Sequence, residues 1–236
     1  MSASRASLVS PTPATRVAMA LIAAIVLGSG TFLLGRYPSL PGLLPVHFQR
    51  NGFPNGWQYK TFARVMLPVF VQIALAVTFG VVGGLLLSRP HGTQDADAPD
   101  VKAAAAAAEA VILIALIWVA FQGYAGWALV QMYSVGRQGL GFWYSYLELL
   151  GVVLTGVVAV RAHFHLGRPP ARPFVAEHWR FGQLYKNADD PALFVPTRNG
   201  LRWTLNFGRP IAAALLGFIL FVGIIGPTII LGLALR

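Results

Sequence analysis

Apolar residues in this chain come in long runs, without the alternation of a strand or the one-sided spacing of a surface helix. Five runs stand out: Val17–Gly35, Val65–Ser88, Ala110–Met132, Leu140–Val160 and Ile211–Leu235. About 20 helical residues cross a hydrocarbon core about 30 Å thick, so each run is long enough to span a bilayer. Inside lipid every backbone N–H and C=O needs a partner within its own segment or within a closed barrel. Barrel strands alternate over about 10 residues, and these runs do not. The pattern predicts an all-α integral membrane helical bundle of about five transmembrane helices, with a small cytoplasmic module that contains a hairpin. The first run follows Arg5 and Arg16, as a signal peptide would. No small-residue cleavage pattern comes after it and Arg36-Tyr37-Pro38 follows directly, so it is read as an uncleaved span.

The polar segments divide the chain further. Residues 1–15, rich in Ser, Thr, Ala and Pro, read as a disordered N-terminus. Residues 16–88 form a two-span unit with a structured outer loop at 37–62. Residues 89–160 hold the third and fourth spans, 161–209 a basic cytoplasmic module, and 210–236 the fifth span. Asp100 is placed to cap the third helix, and the alanines 103–108 extend that helix as good helix formers. Gly80, Gly83 and Gly84 of the second run allow close helix packing.

Composition agrees with a lipid environment. Of 236 residues 56% are hydrophobic and 11% charged, against about 25% charged in soluble domains. The net charge of +10 would suggest nucleic acid on a soluble protein, but on a membrane protein it chiefly fixes orientation. With the N-terminus inside, twelve Lys/Arg lie on the cytoplasmic side and six on the other. That predicts a multi-pass membrane protein with a cytoplasmic N-terminus. Nucleic acid is not an expected partner; the lipid bilayer is. There is no cysteine, which removes disulfides and thiolate chemistry.

The connection LPVHFQRNGFPNGWQYK, residues 44–60, is unusually rich in turn formers for a link between spans. Pro38, Pro41 and Pro45 favour extended chain, and Asn51-Gly52 and Asn55-Gly56 read as turns. The residues Pro45, His47, Phe48, Asn51, Gly52, Gly56 and Lys60 resemble the membrane domain of SdpI-type bacterial immunity proteins. The resemblance implies a multi-span protein that protects against a secreted peptide toxin and is able to hold a regulatory protein at the membrane. A second resemblance covers the segment from His178 to Pro210. It looks like a small uncharacterised domain often found at the end of such proteins. The matching residues are Trp179, Tyr185, Asn187, Asp189, Asp190, Pro191, Val195, Pro196, Thr204, Leu205 and Asn206. Within this segment Asn199-Gly200 suits a type I′ hairpin turn, followed by strand alternation from Leu201 to Phe207.

The candidate residues carry competing readings. In the loop motif His47, Asn51, Gly52 and Lys60, the histidine serves either recognition or the orientation of its own loop. Lys60 either pairs with an anion or lipid phosphate or snorkels from the helix head. Glu148 lies within the fourth run, where a carboxylate is costly and marks function by default. It either lines a polar path or pairs with Arg137, Arg50 or Lys60 to dock the loop. Gln72, Gln122 and Gln131 read as hydrogen-bonding glue between helices. Asp189-Asp190 before proline reads as a turn whose carboxylates cap backbone N–H groups. His163, His165 and His178 lack the spacing of a helical metal pair, so no metal or cofactor is expected. No nucleophile elbow, phosphate loop or dinucleotide motif is present. The expected function is binding, not catalysis: toxin immunity or peptide sensing, with a peptide toxin or a regulatory or membrane protein as partner. The alternative is a transporter or membrane-complex subunit in which Glu148 lines a polar path.

Overall fold

A computed structural model describes residues 7–49, 53–89, 98–135 and 139–220 of the chain. The helices are α1 (Pro13–Arg36), α2 (Phe62–Leu87), α3 (Pro99–Val135), α4 (Trp143–Leu166) and α5 (Pro210–Leu220). The strands are short: β1 (Ser7–Leu8), β2 (Leu43–Phe48), β3 (Pro54–Tyr59), β4 (Ser88–Arg89), β5 (Trp179–Arg180), β6 (Leu184–Tyr185), β7 (Phe194–Pro196) and β8 (Trp203–Leu205). They pair as four separate two-stranded antiparallel ribbons, β1–β4, β2–β3, β5–β6 and β7–β8. The helices α1 to α4 are long and apolar enough to cross a membrane. The fifth apolar run is described only as α5, and its remainder, residues 221–236, lies outside the described residues. At about 1.5 Å per residue the 37-residue α3 is about 55 Å long, well beyond a hydrocarbon core.

The chain divides into two compact units. The first comprises Ala14–Phe79 and Ile112–Val160. Two clusters hold it together. One joins Ala18 and Ile22 of α1 to Ile112, Ala115 and Val119 of α3. The other joins Leu33, Leu40 and Leu44 to Val65, Met66 and Val69 of α2 and to Val130, Met132 and Tyr133 of α3. Leu44 belongs to β2 and is fully buried, so the ribbon between α1 and α2 is part of the packed structure.

The second unit comprises Met1–Pro13, Gly80–Val111 and Arg161–Arg236. Its core joins Val9, Leu86 and Leu87, Val101 and Ala108, Leu193, and Ala212 and Leu215 of α5. The alanine run has a packing role that composition did not reveal. Ala103, Ala104 and Ala108 are buried, and small side chains let neighbouring segments approach the helix closely. Trp203 of β8 donates from Nε1 to the carbonyls of Leu166 (2.9 Å) and Gly167 (3.2 Å). These lie at the C-terminus of α4, where helix carbonyls lack intrahelical partners. Gly167 takes the left-handed conformation there, at φ +61°, as a helix-terminating glycine does.

Several local expectations differ from the structure. Residues 7–15 are ordered: β1 pairs with β4, Val9 N–H donates to Leu87 carbonyl (2.8 Å), and α1 begins at Pro13. A long-range backbone ribbon and burial of Val9 overcome the polar composition. Helix α4 continues past Val160 to Leu166, which places His163 and His165 on a helix and turns them to different faces. Asp100 lies inside the first turn of α3. Asn55-Gly56 sits within β3, not in a turn, and Asn51-Gly52 lies outside the described residues.

The 197–202 connection is not a two-residue type I′ turn. Only Gly200 has positive φ there, and Thr197 N–H pairs with Arg202 carbonyl across a six-residue loop. Thr197 Oγ1 and Asn199 Oδ1 satisfy that loop's backbone: Asn199 accepts from Leu201 N–H at 3.1 Å, and Thr197 Oγ1 accepts from Arg202 N–H at 3.1 Å. The tight turn with two left-handed residues is instead Phe181-Gly182, at φ +50° and +73°.

Candidate functional site

Two places gather the polar and aromatic side chains, one in each unit. In the first unit the β2–β3 ribbon pairs Leu43 with Tyr59, Leu44 with Gln58, Pro45 with Trp57 and His47 with Gly56. Strand side chains alternate between faces. Leu44 therefore turns into the core, while Leu43, Pro45, Trp57 and Tyr59 share the opposite face. Trp57 is 54% exposed and Tyr59 78% exposed.

The ribbon is fixed from behind. Lys60 Nζ donates to the carbonyls of Leu40 (2.7 Å) and Tyr37 (3.1 Å) and lies 5.0 Å from the Tyr37 ring centroid. Arg64 donates to Tyr59 carbonyl and Gln58 Oε1. Lys60 is thus engaged by its own loop. His47 is exposed, and its Nδ1 hydrogen-bonds Asn55 Oδ1. Asn55 Oδ1 is an acceptor, so Nδ1 is the donor in this contact. Gly56 lies opposite, where an added Cβ would come 2.9 Å from His47 Cβ. The ribbon register puts the histidine over a position that tolerates no side chain. Asn51 and Gly52, from the same motif, lie outside the described residues.

Among the helices of this unit, Gln72 is fully buried and donates from Nε2 to Val119 carbonyl (2.9 Å) and Ser29 Oγ (3.1 Å), tying α2 to α3 and α1. Its Oε1 has no partner among the described residues. Gln122 of α3 is half-buried. Glu148 is exposed on α4, whose only buried residue is Gly151. Of the bases considered as its partner, Lys60 is committed to Tyr37 and Leu40, and Arg50 and Arg137 lie outside the described residues.

In the second unit the organising residue is Asn206, which is fully buried. Its Nδ2 donates to the carbonyls of Asn187 (2.8 Å), Asp190 (3.1 Å) and Ala192 (3.2 Å). Its Oδ1 accepts from the N–H groups of Gly208 (2.9 Å) and Asn187 (3.1 Å). One side chain therefore clasps three stretches of backbone. Gly208 is required for this approach, since a Cβ there would overlap the peptide between Asn187 and Ala188.

Asn187 Oδ1 accepts from Asp189 N–H at 3.0 Å, and Asp190 Oδ1 accepts from Ala192 N–H at 3.0 Å. The other Asp190 oxygen accepts from Arg172 Nη1 (2.7 Å) and Tyr185 hydroxyl (3.2 Å). Burial, with the Asp190 carboxylate adding to it, raises the Tyr185 pKa above the ordinary tyrosine value, so the hydroxyl remains a donor. Trp179 packs edge-on against Tyr185 at 5.4 Å and stacks on Phe174 at 6.4 Å.

Residues 188–212 match a family of unknown function, DUF5808. The match contains Asp189, Asp190 and Asn206, and ends within α5. No curated protein and no solved structure matches the chain.

Beside this knot lies a groove of about 830 Å³. It is lined by Trp179, Gly182, Gln183, Thr197, Arg198 and Arg202, among others. Arg198 stacks over Phe174 at 5.0 Å. Arg198 and Arg202 form no ion pair among the described residues, whereas Arg172 is held by Asp190. The sequence reading missed this groove and the aromatic face of the ribbon. The Trp-x-Tyr spacing of 57–59 was the available signal for the latter. The groove had no local signal, because its walls come from two separate hairpins.

Proposed function

We propose that the chain is a binding protein of the toxin-immunity or peptide-sensing type, acting in a bacterial cytoplasmic membrane. Its N-terminus is cytoplasmic, and the β2–β3 ribbon lies at the outer surface. The ribbon captures an extended hydrophobic peptide as it reaches the bilayer. The observation that carries this reading is the outward apolar face of Leu43, Trp57 and Tyr59 on a ribbon held from behind by Lys60 and Arg64, with no third strand paired to it among the described residues. Strand edges bind extended peptides through backbone hydrogen bonds, and side-chain pockets add selectivity. Aromatic anchors of this kind dominate binding energy. The likeness of residues 45–60 to SdpI-type immunity proteins supports the same assignment.

A second reading rests on α4. That helix is almost bare and carries an exposed Glu148, which suits a subunit of a membrane complex in which another chain covers α4.

Expression in cells sensitive to a secreted peptide toxin tests both. Survival rises with the native chain. It returns to baseline with Trp57→Ser/Tyr59→Ser at an unchanged membrane level, reflecting at least about a 30-fold loss of peptide affinity. Glu148→Gln retains protection and leaves flux unchanged under the first reading; under the second, proton- or substrate-coupled flux through the complex is lost in the same cells while protection stays intact. Unchanged survival with the native chain confirmed in the membrane removes the immunity reading.

A further inference from the structure

The groove of the second unit has features of a ligand site that the peptide-binding proposal does not use. Its walls are the β5–β6 and β7–β8 hairpins. The tips of these hairpins meet there, with the Cβ position of Gly182 only 3.8 Å from Arg198 Nη1. Two guanidinium groups, Arg198 and Arg202, line it. Both side chains are exposed, and no carboxylate neutralises either among the described residues. No acidic residue is among the lining residues. The chemistry is that of a site for a phosphate group, which guanidinium groups bind with paired N–H donors.

The rims are apolar. Phe181 is 95% exposed and Leu201 is exposed on the facing tip. Phe181 also holds φ at +50°, a conformation that bulky residues rarely adopt and that clusters at functional positions. An aromatic ring held out in water at a strained turn gains nothing for the fold. It gains a great deal if it enters a lipid interface, where aromatic rings are enriched. The module is short-tethered at both ends to apolar helices: α4 ends at Leu166, and α5 begins at Pro210. Its hairpins are therefore never far from a bilayer.

We propose that this groove binds the phosphate of an anionic lipid headgroup, with Arg198 and Arg202 on the phosphate and Phe181 and Leu201 set into the leaflet edge. This differs from a diffuse basic surface, because it names one groove and requires insertion beside it.

The chain has no cysteine, so Phe181→Cys accepts a single environment-sensitive fluorophore. The labelled full chain is reconstituted in nanodiscs of phosphatidylcholine with and without phosphatidylglycerol, each with a nitroxide-bearing acyl chain as quencher. The expected result is a blue shift and quenching only with phosphatidylglycerol. Each arginine removed, in Arg202→Gln and then Arg198→Gln/Arg202→Gln, weakens the phosphatidylglycerol dependence about 5-fold. Arg202→Gln alone guards against misfolding, since the Arg202 side chain is exposed and only its backbone holds the loop. Equal quenching in both lipids, or none in either, overturns the site. A shift produced by soluble glycerol phosphate in neutral discs without quenching overturns the lipid source in favour of a free phosphate ligand.

Discussion

Asn206→Asp unfolds the C-terminal module while leaving the side-chain volume nearly unchanged. In the native chain the amide nitrogen faces three carbonyl oxygens. Aspartate replaces that donor with an acceptor and adds a charge to a fully buried position. The three carbonyls lose their partner and face a carboxylate instead. Leaving buried polar groups unsatisfied costs about 1–3 kcal/mol each, and breaking a buried charged or polar network about 3–5 kcal/mol. A loss of at least about 3 kcal/mol is therefore expected, a large fraction of the stability of any small module. Limited trypsin digestion of membranes reads it out, because Arg198 and Arg202 sit in an exposed loop held by the same fold. Cleavage there becomes rapid in Asn206→Asp and intermediate in Asn206→Ala, where the donors are lost without an opposing charge. Native-like resistance in Asn206→Asp would show that the clasp does not hold the module.

Lys60→Met frees the β2–β3 ribbon. The ammonium group donates to Leu40 and Tyr37 carbonyls at the end of a single turn of 3-10 helix, Tyr37–Ser39. Methionine keeps the apolar stem and removes both donors. Hydrogen bonds to a charged group are worth about 1.5–3 kcal/mol each, so the local opening free energy falls by about 3 kcal/mol. Amide hydrogen exchange across 43–59 then speeds up about 100-fold, with little change in α3. Peptide capture weakens with it, because the partner must then order the ribbon. Unchanged exchange would mean that Leu44 and Arg64 anchor the ribbon without Lys60.

The sequence displayed the spans best. Long apolar runs report lipid-compatible helices through length alone, and α1 to α4 fall on four of the five runs. Turn positions were less visible. Asn55-Gly56 has turn chemistry, but its glycine serves to admit His47 from the facing strand, and that pairing is not written in the local sequence. Asn199-Gly200 was the more obvious tight turn, yet Phe181-Gly182 takes that geometry while Asn199 spends its side chain on Leu201 N–H. Order at Val9 depends on a backbone ribbon with residues about eighty positions away. Asn206 could be named as part of a motif, but its role as a clasp of three backbone stretches needed the fold. Glu148 stood out as a charge within an apolar run, and it lies exposed on α4. Of its three expected partners, Lys60 is held by its own loop, and Arg50 and Arg137 lie outside the described residues.

We propose that α2, α3 and α4 are three membrane crossings, which would leave the ribbon and the C-terminal module facing opposite compartments. With no native cysteine to confuse the readout, Ser39→Cys and Glu177→Cys place one thiol at an exposed position on each side of those crossings. A membrane-impermeant maleimide applied to intact spheroplasts should label Ser39→Cys at once and Glu177→Cys only after permeabilisation. Labelling of both under the same condition would contradict the separation and, with it, the division of roles between ribbon and module.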